Sequence, residues 1–550
     1  MSPFFRVVSL STLLSFLAIG FAAGQPAYQP CPLLGALYPP PTIDKSSDEM
    51  KSFSVDFTGK FDQLIRTGKH EIYGEVTPNT SSFSVVLFSA TGGNTNDDPI
   101  FYNYQYTAPG AKAKKNVSLN TVFPVGSLTQ VFTVYAWLAK FGDEEWDSPI
   151  TKFIPELLKV PTAGKIAVPW KDITIGSLAS HMSGLARDSH ACQLGKPCDR
   201  QHFIKTFSQL PPLFLPNTTP ILSNAAFQLL AFALANKTPG GPKRSSGGSF
   251  NDVLQSTILR PLKMTRSFLL SSPPASNDIF GAGLNSSAPG EEASLSLMTS
   301  THDLALLGSS ILSSRLLPPS TTRRWLAPVS DTSNVRNGVG RPWEIYRAGI
   351  SNPGPILNIF LKSGTVGAYS SYLGLSPDVK VGFAILAHDA SGKAPDLNVH
   401  ADIVAESIAD LLGLAAKQAA VRYTGSFVGK GNDTAVEFKV SGDGPGLVVS
   451  KMVVGGKNVR AETAAKMGIE EGRLDFRLYP AMKTKTAHQF VAVYQDRDAP
   501  VDAGTPTCIT WMTVGELGLG TVDRVVFGLD GSGRATSVEV PSGGVDLIRG

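Results

Sequence analysis

The sequence predicts an α+β domain followed by a small all-β domain of antiparallel strands. Two observations support this organisation. Up to Lys417, apolar patterns with helical spacing alternate with short runs rich in β-branched and aromatic residues. After Lys417 the helical spacing stops, and short alternating or apolar runs remain, separated by turn residues. We therefore expect a leader at 1–24, the α+β domain at 25–417 and the β domain at 418–550.

The α+β prediction depends on a few strongly patterned stretches. The predicted helices are SLTQVFTVYAWLAKFG, SNAAFQLLAFALANK, STHDLALLGSSIL and HADIVAESIADLLGLAAKQ. In the last of these, one face carries Ile403, Val404, Ile408, Leu411 and Leu412. The predicted strands are FSVVLFSA, ILNIFLKSG, SSYLGLSP and KVGFAILAH, and Gly or Pro residues mark their ends.

The C-terminal part reads as a series of short strands. They are TAVEFKVSG, GLVVSKMVV, RLDFRLYP, QFVAVYQD and RVVFGLDGSGRATSVEV. The last stretch contains DGSG at Asp530 to Gly533, which predicts a hairpin turn. Strands of this length and number are typical of a small barrel or sandwich.

The first residues have the layout of a secretory signal. Arg6 precedes an apolar run that ends in Ala22-Ala23-Gly24, which favours cleavage at Gly24 and a secreted, extracellular protein. The alternative is a membrane anchor, for which the run is marginally short. No later segment is long and apolar enough, so we expect no membrane span in the mature chain. Six sequons support the secretory route, and we expect glycans on some of them: Asn79, Asn116, Asn217, Asn236, Asn285 and Asn432.

The four cysteines are an even number on an oxidising route. Cys192 and Cys198 bracket the short loop CQLGKPC, so a local bridge between them is favoured. That leaves Cys31 with Cys508, although the sequence alone permits three pairings. No histidine lies at zinc-site spacing around these cysteines, so no metal site is expected.

Composition and missing motifs exclude several function classes. The chain is 42% hydrophobic and 17% charged, with a net charge of +4 over 550 residues. Its scattered lysines and arginines form no basic stripe, so a nucleic-acid partner is not expected. The sequence contains no G-x-S-x-G elbow, no H-E-x-x-H helix and no Walker or Rossmann glycine fingerprint.

An ordered series of fragments carries more information. The fragments are VGSLTQVFT, ITIGSLASHMSGLARD, ILSNAAFQLLAFALAN, ILRPLKMTRS and FLKSGTVGAYSSYLGLSPDVKVGFAIL. In this order the chain resembles the serine β-lactamase and penicillin-binding-protein superfamily, especially secreted fungal β-lactamase-like proteins with a β-rich C-terminal extension. The resemblance implies an antiparallel sheet flanked by helices, and a serine-hydrolase site that needs no cofactor.

The family chemistry uses three motifs, and this chain retains part of that set. In S-x-x-K, a lysine one helical turn after the serine takes up the serine proton. In Y/S-x-N, the tyrosine or serine passes the proton to the leaving group, and K/H-[TS]-G lines the acyl pocket. The resemblance assigns Ser127 to the nucleophile, Asn224 to the asparagine, and Lys362-Ser363-Gly364 to the third motif.

Two positions depart from the family pattern. Gln130 stands where the lysine belongs, and Leu222 stands where the tyrosine belongs. A glutamine amide cannot accept a proton at neutral pH, and leucine cannot relay one. General acid–base catalysis contributes about 10²–10⁴-fold, so the usual acyl transfer should be lost or strongly altered. Gln130 could instead hold the hydroxyl of Ser127 by a hydrogen bond.

Two hypotheses follow from these departures. One is a non-catalytic relative that keeps the pocket, and the other is an active hydrolase or acyltransferase with a different base. Lys362 is the first candidate base, with orientation of an anionic substrate as its alternative role. Tyr369, Tyr372 and His181 are weaker candidates, for which packing is the simpler role. The expected ligand is a small ester or amide, or a lipophilic molecule, since Leu222 suggests a more apolar pocket. Ser127 could also be only a helix N-cap.

Overall fold

A computed structural model gives the architecture of the chain. It describes residues 28–91, 98–159, 165–237, 249–275, 278–348, 356–431, 433–499, 510–515, 523–540 and 545–550. The predicted leader at 1–24, the Asn432 sequon and Cys508 lie outside the described residues.

The chain divides into two compact units. The N-terminal unit consists of residues 34–422, and the C-terminal unit combines the described residues before position 34 with those from Tyr423 onward.

The N-terminal unit contains helices and strands in alternation. The helices are α1 (Asp48–Thr67), α2 (Thr129–Phe141), α3 (Ile175–Ala179), α4 (Arg200–Phe207), α5 (Asn224–Lys237), α6 (Phe250–Leu254), α7 (Glu292–Leu295), α8 (Thr301–Leu312), α9 (Pro319–Trp325) and α10 (Asn398–Tyr423). The strands are β1 (Lys69–His70), β2 (Gly74–Glu75), β3 (Ser81–Ser89), β4 (Ile100–Tyr106), β5 (Phe123–Pro124), β6 (Phe268–Leu269), β7 (Leu297–Thr299), β8 (Ser330–Asp331), β9 (Asn337–Val339), β10 (Glu344–Ala348), β11 (Leu357–Val366), β12 (Tyr369–Ser376) and β13 (Val381–Asp389).

An antiparallel sheet forms the centre of this unit. Within the described residues it has eight strands, in the order β4-β3-β13-β12-β11-β10-β9-β8. Strands β3 and β13 are buried at every position, because both faces of the sheet are covered. Because neither face of the sheet is exposed here, these strands appear in the sequence as continuous runs rather than as alternating patterns.

Helices cover the sheet on both sides. On one face, α1 contributes Phe57 and Phe61, and α10 contributes Ile403 and Ile408 to a common core. On the other face, α2, α5 and α8 form the largest core of the molecule. The apolar face predicted for α10 is therefore confirmed, and so is the α+β fold with a flanked antiparallel sheet.

The C-terminal unit is a closed barrel. Its strands are β14 (Gly425–Val428), β15 (Ala435–Val440), β16 (Leu447–Val454), β17 (Lys457–Asn458), β18 (Leu474–Lys483), β19 (Ala487–Asp496), β20 (Arg524–Leu529), β21 (Ala535–Val540) and β22 (Val545–Arg549), with helices α11 (Val459–Lys466) and α12 (Thr510–Thr513). In the described part, eight strands follow the order β15-β14-β22-β21-β20-β19-β18-β16, and pairing of β15 with β16 closes the ring. The predicted small β domain is confirmed as a barrel.

The barrel interior is filled by aromatic rings. Phe527 lies 5.0 Å from Phe438 and 5.2 Å from Phe490, measured between ring centroids. The predicted hairpin turn is present, since the Gly533 amide donates to the Asp530 carbonyl at 3.0 Å. Helix α11 was not expected here. It is a short helix whose N-cap, Asn458, accepts a hydrogen bond from the amide of the third helical residue.

One of the two predicted disulfides lies wholly within the described residues. Cys192 and Cys198 form a disulfide. Cys31 is also disulfide-bonded, but its predicted partner, Cys508, lies outside the described residues. Among the helices that the structure describes, none is both long and apolar enough to span a bilayer.

Candidate active site

Ser127 lies in a sharp turn at the start of α2. The turn is a 3₁₀ segment, Gly126–Leu128, that follows strand β5. Gly126 has φ +53°, in the left-handed region that glycine adopts readily. Ser127 is partly exposed, and its Oγ makes no hydrogen bond to any residue that the structure describes. The helix N-cap is Leu128, without a side-chain capping bond, so the interpretation of Ser127 as a helix N-cap is wrong.

Strand β11 packs closely against this turn. A Cβ on Gly126 would lie 2.6 Å from the carbonyl oxygen of Thr365, and a Cβ on Gly364 would lie 2.0 Å from the carbonyl oxygen of Val125. Both distances are far below van der Waals contact, so both positions need glycine. The Lys-Ser-Gly motif therefore adjoins the Ser127 turn through its glycine.

Gln130 occupies the lysine position and is fully buried. Its Nε2 donates to Asn224 Oδ1 at 3.2 Å and to Ser294 Oγ at 2.8 Å. Ser294 Oγ also donates to Asn224 Oδ1 at 2.9 Å. Among the described residues, Gln130 makes no hydrogen bond to Ser127. The prediction that Gln130 holds the hydroxyl of Ser127 is therefore wrong.

Asn224 begins α5 and is fixed by the chain that follows the HMSGL turn. The Asn224 amide donates to the Arg187 carbonyl at 2.7 Å, and Asn224 Nδ2 donates to Asp188 Oδ1 at 2.7 Å. Ser223 Oγ donates to the Ala186 carbonyl at 2.7 Å. These bonds hold segment 186–188 along the start of α5 and bring Asp188 to the site.

Lys362 is engaged by Glu344. It is 1% exposed, and its Nζ pairs with Glu344 Oε1. The other oxygen of Glu344 accepts from the Ser363 amide at 3.1 Å and from Ser363 Oγ at 2.7 Å, where β10 begins. Burial, and then the charge of Lys362, lowers the pKa of His181 to about 3, so this imidazole stays neutral at physiological pH.

A cavity of about 310 Å³ opens at Ser127. Its lining is Ser127, Arg187, Asp188, His190, Asn224, Pro289, Gly290, Glu291, Leu295 and Thr365. Ser127 and Asn224 therefore meet in one cavity, whereas Gln130, Leu222 and the Lys362-Ser363-Gly364 motif do not belong to the lining. The cavity lies at the N-terminal end of α2, where the helix dipole favours negative charge.

Two carboxyl groups in this lining, Asp188 and Glu291, had not been predicted. Glu291 is 1% exposed, and its Oε1 accepts from the Ser189 amide at 2.7 Å and from Ser189 Oγ at 2.8 Å. Its Oε2 is buried and has no hydrogen-bond partner among the described residues. Burial raises the pKa of Glu291, and the charge of Asp188 adds to the rise, while the bonds from Ser189 oppose it.

The remaining candidate bases have structural roles. Tyr369 donates to the Phe280 carbonyl at 2.9 Å, and Tyr372 donates to Asn398 Oδ1 at 2.8 Å. Burial raises the pKa of each phenol to about 12, so neither accepts a proton at neutral pH. Leu222 is half-buried just before α5.

The sequence gives only a weak indication that Asp188 and Glu291 belong to the site. Asp188 follows the HMSGL turn in the stretch ARDSH, and Glu291 belongs to the pair Glu291-Glu292 before α7. Two adjacent acidic residues are usually a solvated surface pair, so their pattern does not indicate burial. Only the fold reveals that one of them lines the cavity.

Comparison with known families agrees with this geometry. A family model described as "Beta-lactamase" matches residues 90–406, which is more than half of the chain. The chain belongs to the β-lactamase family. A second family model, described as "Beta-lactamase-like-like, C-terminal domain", matches residues 415–550. The predicted family resemblance is therefore confirmed over both parts of the chain.

Individual relatives are distant. A "Beta-lactamase-like protein" of Arthroderma benhamiae is 24% identical, covering 97% of this chain and 98% of that protein. A "Probable hydrolase M10" of Phoma sp. is 22% identical, covering 65% of this chain and 64% of that protein. The solved octameric penicillin-binding protein homologue from Pyrococcus abyssi is 17% identical with a TM-score of 0.48, covering 90% of this chain and 100% of that chain.

Proposed function

We propose that this β-lactamase-family protein is secreted, binds a small polar ester or amide in the Ser127 cavity, and does not use lysine-assisted acylation. One observation carries the proposal. The Gln130 amide is held by Asn224 and Ser294, and Ser127 Oγ has no hydrogen-bond partner among the residues described. The group at the lysine position thus neither accepts a proton nor makes a hydrogen bond to the serine.

The loss of the tyrosine strengthens the proposal. Leu222 offers no group that could protonate a leaving oxygen or nitrogen. Without both proton-transfer groups, about 10²–10⁴-fold of rate should be lost. Serine acylation by the family route is therefore strongly reduced or replaced.

Lys362 is better suited to holding the pocket than to acting as a base. Its ammonium is paired with Glu344, and that carboxylate also holds the Ser363 amide and hydroxyl. The Lys362 Nζ is thus engaged by a carboxylate of β10, the strand next to β11. This arrangement supports a role for Lys362 in fixing β11 beside the Ser127 turn.

The cavity lining favours a polar ligand. It includes Arg187, Asp188, Asn224 and Glu291, whereas Leu222, the residue that suggested an apolar pocket, does not belong to it. The lining also contains Pro289 and Leu295, so it suits a ligand that carries polar groups beside a small apolar part. Hydrogen-bonding groups of an ester or amide would find partners here.

The proposal is tested by turnover of a chromogenic cephalosporin and of p-nitrophenyl acetate. We expect no cephalosporin turnover above the Ser127→Ala level, and ester turnover that Lys362→Arg, which keeps a cation for Glu344 but cannot act as a base, changes by less than about threefold. A β-lactamase with the S-x-x-K lysine and the Y-x-N tyrosine serves as the positive control. Cephalosporin turnover near the control rate, or loss of ester turnover in Lys362→Arg with an unchanged melting temperature, would contradict the proposal.

Secretion is supported by the exposure of most sequons. Asn79, Asn116, Asn217 and Asn285 are exposed. Expression in a eukaryotic host tests this part, since a secreted chain should appear in the medium with a mature N-terminus near residue 25. Retention of the full-length chain inside the cells would contradict it.

A further inference from the structure

Glu291 stands apart from the other groups around Ser127, because it is a buried carboxyl group with one free oxygen. We propose that Glu291 is the proton-transfer residue of the Ser127 cavity, supporting cleavage of small polar esters where the lysine and tyrosine are missing. This inference rests on the proposed function, because it concerns the same cavity and requires that the lysine route is not in use.

The geometry gives Glu291 one fixed oxygen and one available oxygen. Two hydrogen bonds from Ser189, at 2.7 and 2.8 Å, orient the side chain through Oε1. Oε2 has no described partner, and Glu291 lines the cavity that Ser127 also lines. A general base must have a free lone pair and a fixed direction, and it must reach the proton directly or through one water. Glu291 meets the first two conditions, and the assignment requires that Oε2 reach the Ser127 proton, directly or through one water, within the cavity that both residues line.

Burial of an unpaired carboxyl oxygen needs an explanation. An unsatisfied buried acceptor destabilises the folded state, and it does so more strongly when the group is charged. Proteins retain such groups where chemistry or ligand binding uses them. Burial and the charge of Asp188 also raise the pKa of Glu291, which brings it towards the range of effective acid–base groups.

Glu292 shows that the position of Glu291 is specific. It is the next residue, it is also buried, and burial likewise raises its pKa. However, Glu292 accepts a hydrogen bond from Ser271 and does not line the cavity. The two neighbouring carboxyl groups therefore differ in access to Ser127, which makes Glu292 a matched control.

The charged and titratable groups facing Glu291 come mainly from one segment. Arg187 lies 3.7 Å from Asp188 between Nε and Oδ2, and Asp188 accepts from Asn224 at 2.7 Å. Helix α5, strand β11 and the turn before α2 contribute uncharged lining groups. The groups around the cavity are Arg187, Asp188 and His190, with the neutral Ser127, Asn224 and Thr365.

The proposed reaction balances as ester hydrolysis. Ser127 Oγ bonds to the ester carbonyl carbon while its proton passes to Oε2 of ionised Glu291. The bond to the leaving oxygen then breaks, and Glu291 gives the proton to that oxygen. Water next bonds to the acyl carbon, and one of its protons passes to Glu291. The bond to Oγ breaks, Glu291 returns the proton to Oγ, and an acid and an alcohol have formed.

A fluorophosphonate tests this assignment without requiring a known substrate. Its phosphorus bonds to an activated serine oxygen as fluoride leaves. Intact mass counts the adducts, and peptide mapping shows which of them are on Ser127. We would measure the rate of labelling from pH 5 to pH 9 in the wild type, Glu291→Gln, Glu292→Gln and Ser127→Ala. Glu291→Gln keeps an oxygen that can accept from Ser189, so it preserves the local hydrogen bonds.

We expect Ser127 labelling that rises with pH through a single ionisation. Glu291→Gln should lower the rate at least about tenfold, while Glu292→Gln stays within about twofold of the wild type. No Ser127 adduct in the wild type, or equal rates in wild type and Glu291→Gln, would overturn the assignment. Failure of the proposed function is distinguishable, because it would appear as cephalosporin turnover near the control rate.

A second variant keeps the assignment testable if Glu291→Gln does not fold. Asp188→Asn removes a negative charge near Glu291 but keeps an oxygen for the bond from Asn224. The inflection of the labelling profile should then move to lower pH by about half a unit or more. An unchanged inflection in a folded Asp188→Asn variant would overturn the role of Glu291.

Discussion

At the scale of single residues, Gln130 determines how the site differs from its family. The amide fills the lysine position, connects α2 to Asn224 and Ser294, and leaves the hydroxyl of Ser127 free of hydrogen bonds to described residues. The polar atoms of Gln130 are buried, so its contribution to the free energy of unfolding can be measured separately from any contribution to catalysis.

Replacing Gln130 with alanine should destabilise the N-terminal unit. The change removes two buried hydrogen bonds and leaves a cavity, which together cost about 2–4 kcal/mol. Urea unfolding followed by tryptophan fluorescence measures this, because five of the six tryptophans belong to this unit. Gln209→Ala is the control, since Gln209 is exposed and should cost less than about 0.5 kcal/mol. Equal effects of the two changes would contradict the account.

Some site residues could be predicted from the sequence and others could not, for a physical reason. Ser127 and Asn224 lie in short motifs with fixed spacing, and they share one cavity. Glu291 and Asp188 belong to no motif, and their proximity depends on how the chain after the HMSGL turn follows α5. Such contacts between distant segments leave no periodic signal in a single sequence.

At the scale of elements, the site depends on the contact between the Ser127 turn and strand β11. This contact needs glycine on both sides, at Gly126 and Gly364. The long helices of this unit were predictable from periodicity, as with α10, and the central strands from continuous apolar runs, as with β13. The short helix α11 was not, because eight residues give too little pattern and its single N-cap is a weak signal.

Gly126→Ala should disrupt this contact. The new Cβ would be strained at φ +53° and would meet three backbone atoms of Thr365 at 2.6–2.8 Å. We expect a loss of about 3 kcal/mol or more, measured by urea unfolding. Gly413→Ala is the control, because a Cβ added to this helical glycine of α10 would meet nothing within 4 Å, and the change should gain up to about 1 kcal/mol. A tolerated Gly126→Ala would show that the close approach is absent.

The packing of α10 on the sheet predicts a specific pH dependence. His400 is buried beside Phe83, neither ring nitrogen has a described partner, and burial lowers its pKa to about 4. Because the unfolded chain binds a proton near pH 6.5 and the folded chain does not, this histidine reduces stability as the pH falls below about 6.5. His400→Phe should recover about 2 kcal/mol of the loss between about pH 7.5 and pH 5. Parallel stability profiles for wild type and variant would contradict this.

At the scale of the whole molecule, the two units have different architectures. The N-terminal unit buries a sheet between helices, and the C-terminal unit closes a barrel around aromatic rings. The change of periodicity near Lys417 predicted that there are two architectures. Closure of the barrel could not be predicted, because it depends on the pairing of β14 with β22, which lie at opposite ends of the unit's sequence.

Glycan occupancy is a prediction about the molecular surface. Asn236 donates to the Phe153 carbonyl at 2.7 Å and accepts from Arg200 at 2.5 Å, so its amide is held within the fold. Peptide mass spectrometry of the secreted protein should find glycans among the exposed sequons Asn79, Asn116, Asn217 and Asn285, and none at Asn236. A glycan at Asn236 on the folded protein would contradict the structure of this region.

The central claim is that Ser127 keeps its place without the lysine that activates it. The most direct measurement is the second-order rate of Ser127 labelling by a fluorophosphonate, beside a β-lactamase that has the S-x-x-K lysine and the Y-x-N tyrosine. A carboxylate is a weaker base than the lysine amine, so we expect a rate about 10²-fold or more below the control. A rate equal to the control would contradict the claim, because it would mean that Ser127 is fully activated.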